Sequence, residues 1–253
     1  MARMARTKSK TGIYHIMLRG IDKRNIFLDD EDRMKFLEKL LKAREVGRFK
    51  LYGYCLMDNH VHMLIEEQEE IGKSIKRITV GYVQWHNTKH ERTGHLFQNR
   101  YNSEAVETEG YLINVLRYIH QNPVKAKMVR NAKDYPWSSY HQYLLEYNQQ
   151  SSFIDTEIVM SYYAGQEEFE NYMNTETKEE FLEYKQTKKY TDTSLKKIIE
   201  KDIRIEDLVH LPIEKRNKRI KDIYRNTEAS IRQLARVLEL GKGVIEKAVK
   251  SKV

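Results

Sequence analysis

Cysteine is nearly absent: Cys55 is the single one in 253 residues, which excludes an intramolecular disulfide framework and a multi-cysteine zinc cage. Any metal must use other ligands. Proline occurs only at 123, 136 and 212, and no stretch is low-complexity or repeated, so no proline-rich linker marks a boundary. No apolar run approaches the roughly 18 to 20 residues that span a bilayer, and the basic N-terminal MARMARTKSK has no apolar signal stretch. The expected setting is the cytoplasm, away from membrane. What the chain does have is charge, at 32% of residues, and 17 tyrosines, with a mean hydropathy of −0.75. That is polar for a globular protein, yet too aromatic for disorder, and the length suits one large domain or a domain with an appendage.

The net charge of +8 is unevenly spread. Residues 1–150 hold 25 basic and 18 acidic side chains, 151–200 hold 6 and 11, and 201–253 hold 14 and 8. Two basic blocks flank an acidic one. A positive field attracts polyanions, so nucleic acid is the first partner to test, with an anionic membrane surface or an acidic protein as plainer alternatives.

Pattern supplies the elements. Ile13 to Arg19 is rich in β-formers and stops at Gly20, as a strand entering a turn does. Asp29 to Asp32 followed by Met34, Phe36, Leu37, Leu40 and Leu41 reads as a helix with acids at its start. Phe49 to Leu56 and Val61 to Glu66 read as two strands joined by the short tip Met57-Asp58-Asn59. Ile71 to His86 has helical apolar spacing, Leu96 to Val106 is a strand region, and Gly110 to Gln121 is a helix with Leu112, Val115, Leu116 and Ile119 on one side. This order predicts an α+β fold, a ferredoxin-like antiparallel sheet with helices on one face, followed by a mostly helical C-terminal extension. The expected domains are 1–145 (catalytic), 146–200 (acidic helical connector, its helices packed on the core or bridging it to the last block) and 201–253 (helical, DNA-binding).

His60 and His62 flank Val61. On a strand, residues two apart share a face, so both imidazoles project together, as metal ligands do. The plainer reading of so short a motif is two ordinary strand histidines. Tyr118 and Asn122, four apart, share a helix face, and an amide oxygen beside two imidazole nitrogens suits Mg²⁺ or Mn²⁺ with positions left open for phosphate oxygens. Tyr118 could then attack phosphorus. The plainer reading of Tyr118 is a core-facing aromatic. Pro123 biases Asn122 away from helical geometry, which places the spacing at the helix end.

Residues 10–145 resemble the single-tyrosine HUH transposases of the IS200/IS605 type, most of all the REP-associated ones. The motifs that carry the resemblance are Leu18-Arg-Gly-Ile-Asp-Lys-Arg24, Met57-Asp-Asn-His-Val-His-Met-Leu-Ile65, Gly94-His-Leu-Phe-Gln-Asn-Arg-Tyr101, Tyr118-Ile-His-Gln-Asn-Pro-Val124 and Pro136-Trp-Ser-Ser-Tyr140, in that order. The resemblance implies that His60, His62 and Asn122 bind the divalent metal and that Tyr118 forms a 5′-phosphotyrosine on single-stranded or hairpin DNA, freeing a 3′-hydroxyl. Asp58 departs from the proline that relatives often carry there. Asp58, Glu66 and His120 are candidate helpers, with solvated charge as their plainer reading.

Candidate DNA contacts are Arg19 and Arg24 by the first turn, Lys76 and Arg77 on the second helix, Arg92 and Arg100 around the Gly94 motif, and Lys125 after the tyrosine helix. Tyr101 or Trp85 could stack bases, whereas Trp137 reads as core. Ser230 to Lys250 resembles a helix-turn-helix, with Ala235 at the close approach, a Leu240-Gly241 turn, and Lys242 and Lys247 on its second helix. Glu239 stands where that turn usually has glycine. Duplex DNA is the partner this region would take. Two rival functions stay open on sequence: a metal-dependent nuclease in which Tyr118 only packs, and a non-catalytic DNA-binding regulator. A monomer and a homodimer, with the tyrosine acting in cis or in trans, both remain compatible with the sequence.

Overall fold

The computed structural model describes residues 7–175, 181–182, 190–227 and 229–250. The chain divides into two compact units, Met1–Glu183 and Tyr184–Val253.

In the first unit four strands, β1 (Ile13–Arg19), β2 (Lys50–Met57), β3 (His60–Glu66) and β4 (Asn102–Ala105), form an antiparallel sheet in the order β2-β3-β1-β4. Helices α1 (Asp30–Gly47) and α2 (Ile71–Lys89) complete the expected ferredoxin-like arrangement. The Asp29 side chain caps α1 by accepting from the Asp32 amide at 2.9 Å, and acids fill its first turn, where the helix dipole favours them. Leu18 faces a cavity of about 760 Å³ lined by Gly72, Ile75 and Thr79, so α2 covers the face carrying Leu18.

Helix α3 (Glu109–Lys125) covers the opposite face, so the expectation of helices on one face holds for α1 and α2 alone. Gly53 permits this: a Cβ there would stand 2.4 Å from Leu116 Cδ1. Thr108 caps α3 by accepting from the Tyr111 amide at 3.2 Å, and Leu112, Val115, Leu116 and Ile119 are buried along it. Contrary to the expected break at Pro123, the helix runs through to Lys125. The Asn122 amide nitrogen donates to the carbonyl of Tyr118 at 2.8 Å and lies 3.5 Å from that of Ile119, the acceptor that the missing proline N–H would have served. The Leu96–Val106 strand region is shorter than its pattern suggested, because Gly94 and Asn99 adopt left-handed φ of +89° and +59°. Only 102–105 pairs as a strand, while Leu96 and Gln98 exchange backbone bonds with Ile21 and Arg19.

Of the two placements expected for the acidic segment, its helices up to Asn174 take the first, packed on the core. Helices α4 (Tyr140–Tyr147), α5 (Glu157–Met160) and α6 (Gln166–Asn174) bury Tyr140, Tyr143, Val159, Phe169 and Met173 in the first unit's core. Beyond Tyr184, α7 (Asp192–Ile199), α8 (Ile205–His210), α9 (Ile213–Thr227), α10 (Ile231–Val237) and α11 (Lys242–Lys250) share a second core that includes Leu195, Leu208, Ile220, Leu234, Leu238 and Ile245. The boundaries expected at 145 and 200 therefore do not coincide with the two units. The turn between α10 and α11 places Glu239 at a left-handed φ of +54°, the conformation that glycine takes without strain. Among the described residues no helix is long and apolar enough to cross a membrane.

Candidate active site

Strand register builds the site. Arg19 pairs with His60 and Met17 with His62, while His15 pairs with Glu104, so alternation puts His15, Arg19, His60, His62 and Glu104 on one face, the face covered by α3. The two-residue tip Asp58-Asn59 is tied to the first turn rather than free. Asp58 O accepts from Ile26 N at 2.7 Å and Phe27 N at 3.1 Å, and Asn59 O accepts from Gly20 N at 2.8 Å. Gly20 is required there, because a Cβ would stand 2.0 Å from Arg24 O.

The ring of Tyr118 comes to that face. Its centroid lies 5.5 Å from that of His62 and 5.8 Å from that of His15, and His60 and His62 are 5.0 Å apart, ring edge to ring face. His62 and Tyr118 are buried, and Phe181 stacks on Tyr118 at 4.6 Å. The exposed Lys125 carries its ammonium 4.9 Å from the centre of the Tyr118 ring.

Hydrogen bonds define the donor atoms. His60 Nδ1 lies 2.7 Å from Asn59 Oδ1; with that proton donated, Nε2 carries the lone pair. His62 Nδ1 lies 2.9 Å from His15 Nε2, and His15 Nδ1 faces Glu104 Oε2 at 3.6 Å. The His15 contact, its own burial and Tyr111 decide the state of Glu104: the bonds outweigh desolvation and hold it below the usual carboxylate range, hence ionised. Burial lowers the pKa of His15, hence neutral. The ionised carboxylate 3.6 Å from His15 Nδ1 favours the proton on that nitrogen, an arrangement in which His15 Nε2 accepts from His62 Nδ1 and the His62 lone pair is on Nε2. Burial first, then His15 and His60, hold His62 well below the ordinary histidine range, so it is neutral at pH 7. The nitrogen of the Asn122 amide is spent on helix carbonyls, leaving its oxygen. Imidazole nitrogens and an amide oxygen are donor types that suit Mg²⁺ or Mn²⁺.

The helper candidates separate from this cluster. His120 turns into the core against Tyr140 and Tyr143, with Nε2 2.8 Å from Ser139 Oγ, and burial pushes it down to about 3. Asp58 is paired with Arg33 at 2.5 Å, and Glu66, at the far end of β3, accepts from Tyr52 and meets Lys50 at 3.3 Å. The proposed DNA contacts lie in several places. Arg19 is half-buried beside His60, and Arg24 is exposed after the first turn. Lys76 and Arg100 line the cavity beside α2, Arg77 is ion-paired with Glu69, and Arg92 is half-buried after α2. Lys242 and Lys247 are exposed on α11, in the other unit. Trp85 and Trp137 pack against the core, Trp85 beneath Lys35 and Lys89. Sequence reasoning missed His15, Glu104 and Phe181. His15 and Glu104 sit at even steps from neighbours on the histidine face, a signal usable only once the register is known, whereas Phe181 carries no such signal.

Residues 8–122 match the family model described as transposase, IS200-like. A candidate REP-associated tyrosine transposase of Haemophilus influenzae is 25% identical over 154 residues, which are 56% of this chain and 87% of that protein. Two solved structures are similar. One, a REP-associated tyrosine transposase bound to a REP hairpin, has 18% identity and a TM-score of 0.49, covering 56% of this chain and 84% of that one. The other, a candidate transposase from Deinococcus radiodurans, has 16% identity and a TM-score of 0.34, covering 47% and 96%.

Proposed function

We propose that the chain, whose residues 8–122 match the IS200-like transposase family model, cleaves and rejoins single-stranded or hairpin DNA through Tyr118. The phenolic oxygen attacks phosphorus, the P–O3′ bond breaks, and the phenol's proton ends on the departing 3′-oxygen. The product is a 5′-phosphotyrosine and a 3′-hydroxyl. Because the new ester keeps the bond energy, a 3′-hydroxyl can attack it in turn and regenerate the phenol. His60, His62 and Asn122 would hold Mg²⁺ or Mn²⁺. The ion supplies polarisation of the scissile phosphate. Lys125 adds positive charge beside the ring that reacts, and Arg19 does so beside His60.

The observation that carries this reading is the approach of the Tyr118 ring to 5.5 Å from His62, across an interface between α3 and a strand more than fifty residues earlier. A purely structural tyrosine needs no such neighbour. Duplex DNA is assigned to α10 and α11, and the cytoplasm is the compartment where these substrates are met. Incubation of the full chain with a labelled, hairpin-bearing single strand and Mg²⁺ or Mn²⁺ tests the reading on a denaturing gel. A covalent adduct is expected from the wild type, and none from Tyr118→Phe or from His60→Ala/His62→Ala. Metal-dependent cleavage that survives Tyr118→Phe without a trapped adduct would establish a nuclease. DNA-dependent functions untouched by both variants would establish a binding regulator.

A further inference from the structure

Away from the histidine face, where α1 begins and α2 ends, stands a group that the proposed chemistry does not use. His86 is fully buried, and neither ring nitrogen has a hydrogen-bond partner among the described residues. A phenylalanine or leucine would fill the same space without desolvating two polar atoms, so packing does not account for an imidazole here. His90 follows one helical turn later, and the two rings lie 4.4 Å apart. Asp32, also fully buried, comes from the first turn of α1 and faces His90 Nε2 at 2.9 and 3.1 Å. One donor atom from each of these three residues lies within 4.8 Å of the others.

We propose that Asp32, His86 and His90 form a second metal site, for a borderline transition ion such as Zn²⁺, which clamps α1 to α2. Two imidazoles and one carboxylate are a zinc donor set. The i, i+4 spacing of His86 and His90 aims both imidazoles to one side of α2. Zinc–ligand bonds of about 2.0–2.2 Å need the donors drawn together, with the Asp32–His90 hydrogen bond opening to admit the ion. His90 is partly exposed, leaving an entry and a fourth position for water. The local charge favours a dication. Lys89 is shared by Asp29 (2.7 Å), Glu31 (2.8 Å) and Asp32 (3.1 Å), three carboxylates against that ammonium, and Arg92 is the other cation acting on His86. When Asp32 Oδ1 turns to a metal, Asp29 and Glu31 still hold Lys89.

The test uses the full chain carrying His60→Ala/His62→Ala, which removes the other imidazole pair and makes the result independent of the transposase reading. After chelator treatment and dialysis, Co²⁺ is titrated in, the visible ligand-field bands are read, and Zn²⁺ is used to compete. The expected result is one equivalent with four-coordinate bands, displaced by Zn²⁺ and accompanied by a higher melting temperature. Adding His86→Leu should weaken binding by more than the roughly 10- to 100-fold that loss of an outer partner costs, while the metal-free melting temperature holds or rises. His90→Gln, at a part-exposed position, should weaken binding likewise and decides the matter if His86→Leu does not fold. Absence of any Co²⁺ equivalent in the starting background, or binding unchanged by His90→Gln, would overturn the site.

Discussion

Replacing His15 should weaken the proposed metal site without touching a proposed ligand. His15→Phe keeps ring volume but removes the Nε2 acceptor 2.9 Å from His62 Nδ1. Two consequences follow. His62 loses the bond that fixes its tautomer and ring angle, and removing such an outer partner costs roughly 10- to 100-fold in metal affinity, about 1.4 to 2.7 kcal/mol. Its buried Nδ1 proton is also left without an acceptor, a penalty of about 1 to 3 kcal/mol of folding stability. His15→Gln retains a polar atom at a similar reach and should recover most of the affinity. The assay is a Mn²⁺ titration read from the free-ion paramagnetic signal, performed in a His86→Leu background so that the second cluster adds nothing. Denaturant unfolding in chelator gives the stability term. Mn²⁺ affinity in the folded His15→Phe variant within twofold of the parent would refute the Glu104–His15–His62 relay, as would equal losses in the Phe and Gln variants.

Gly53→Ala should cost about 1 to 3 kcal/mol by driving a methyl group into Leu116, and Leu116→Val should restore part of it in the double variant; simple additivity in denaturant unfolding would mean that the two do not meet. His120 is expected to shape acid stability. Its folded pKa, about 3, is below its ordinary 6.5, so the unfolded chain binds the extra proton; the contribution is intact above pH 6.5 and is lost as pH falls towards 3, at about 1.4 kcal/mol per pH unit. His120→Gln should flatten the stability profile over that window, and parallel profiles for variant and wild type would disprove it. Glu239→Gly relieves a left-handed residue and should slow hydrogen exchange in α10 and α11, by up to about 1 kcal/mol of protection; faster exchange would contradict the turn geometry.

Where local pattern decides structure, the sequence was readable. Alternation in β1 and β3, the two-residue tip between β2 and β3, and the acidic start of α1 all appear where residue types alone require them. His60 and His62 share a face for the same reason, and the four-residue step from Tyr118 to Asn122 survives Pro123 because the Asn122 side chain serves the helix carbonyls. What escaped was set by distant partners. His15 matters through a residue 47 positions away, and Phe181 reaches Tyr118 from beyond α6. Whether the helices after 145 pack on the core or bridge to the last block stayed open in the sequence, because their few apolar residues are diluted by acids. Phe169 and Met173 are nonetheless fully buried, and tertiary contact, not composition, assigns them to the first unit.

The phenyl ring of Phe181 roofs the proposed nucleophile, and the amide of Leu182 beside it donates to Glu104, the carboxylate behind the histidines. On the proposed reaction, a single strand reaching Tyr118 would have to lift a flat aromatic surface from another flat aromatic surface, and an unpaired nucleobase is a like-for-like replacement. The exchange discriminates against water, which has no such surface to offer. On the proposed reaction, guarding the phenol and admitting the substrate would become one event, and the same two-residue stretch that leaves the ring would also release the half-buried Glu104 carboxylate.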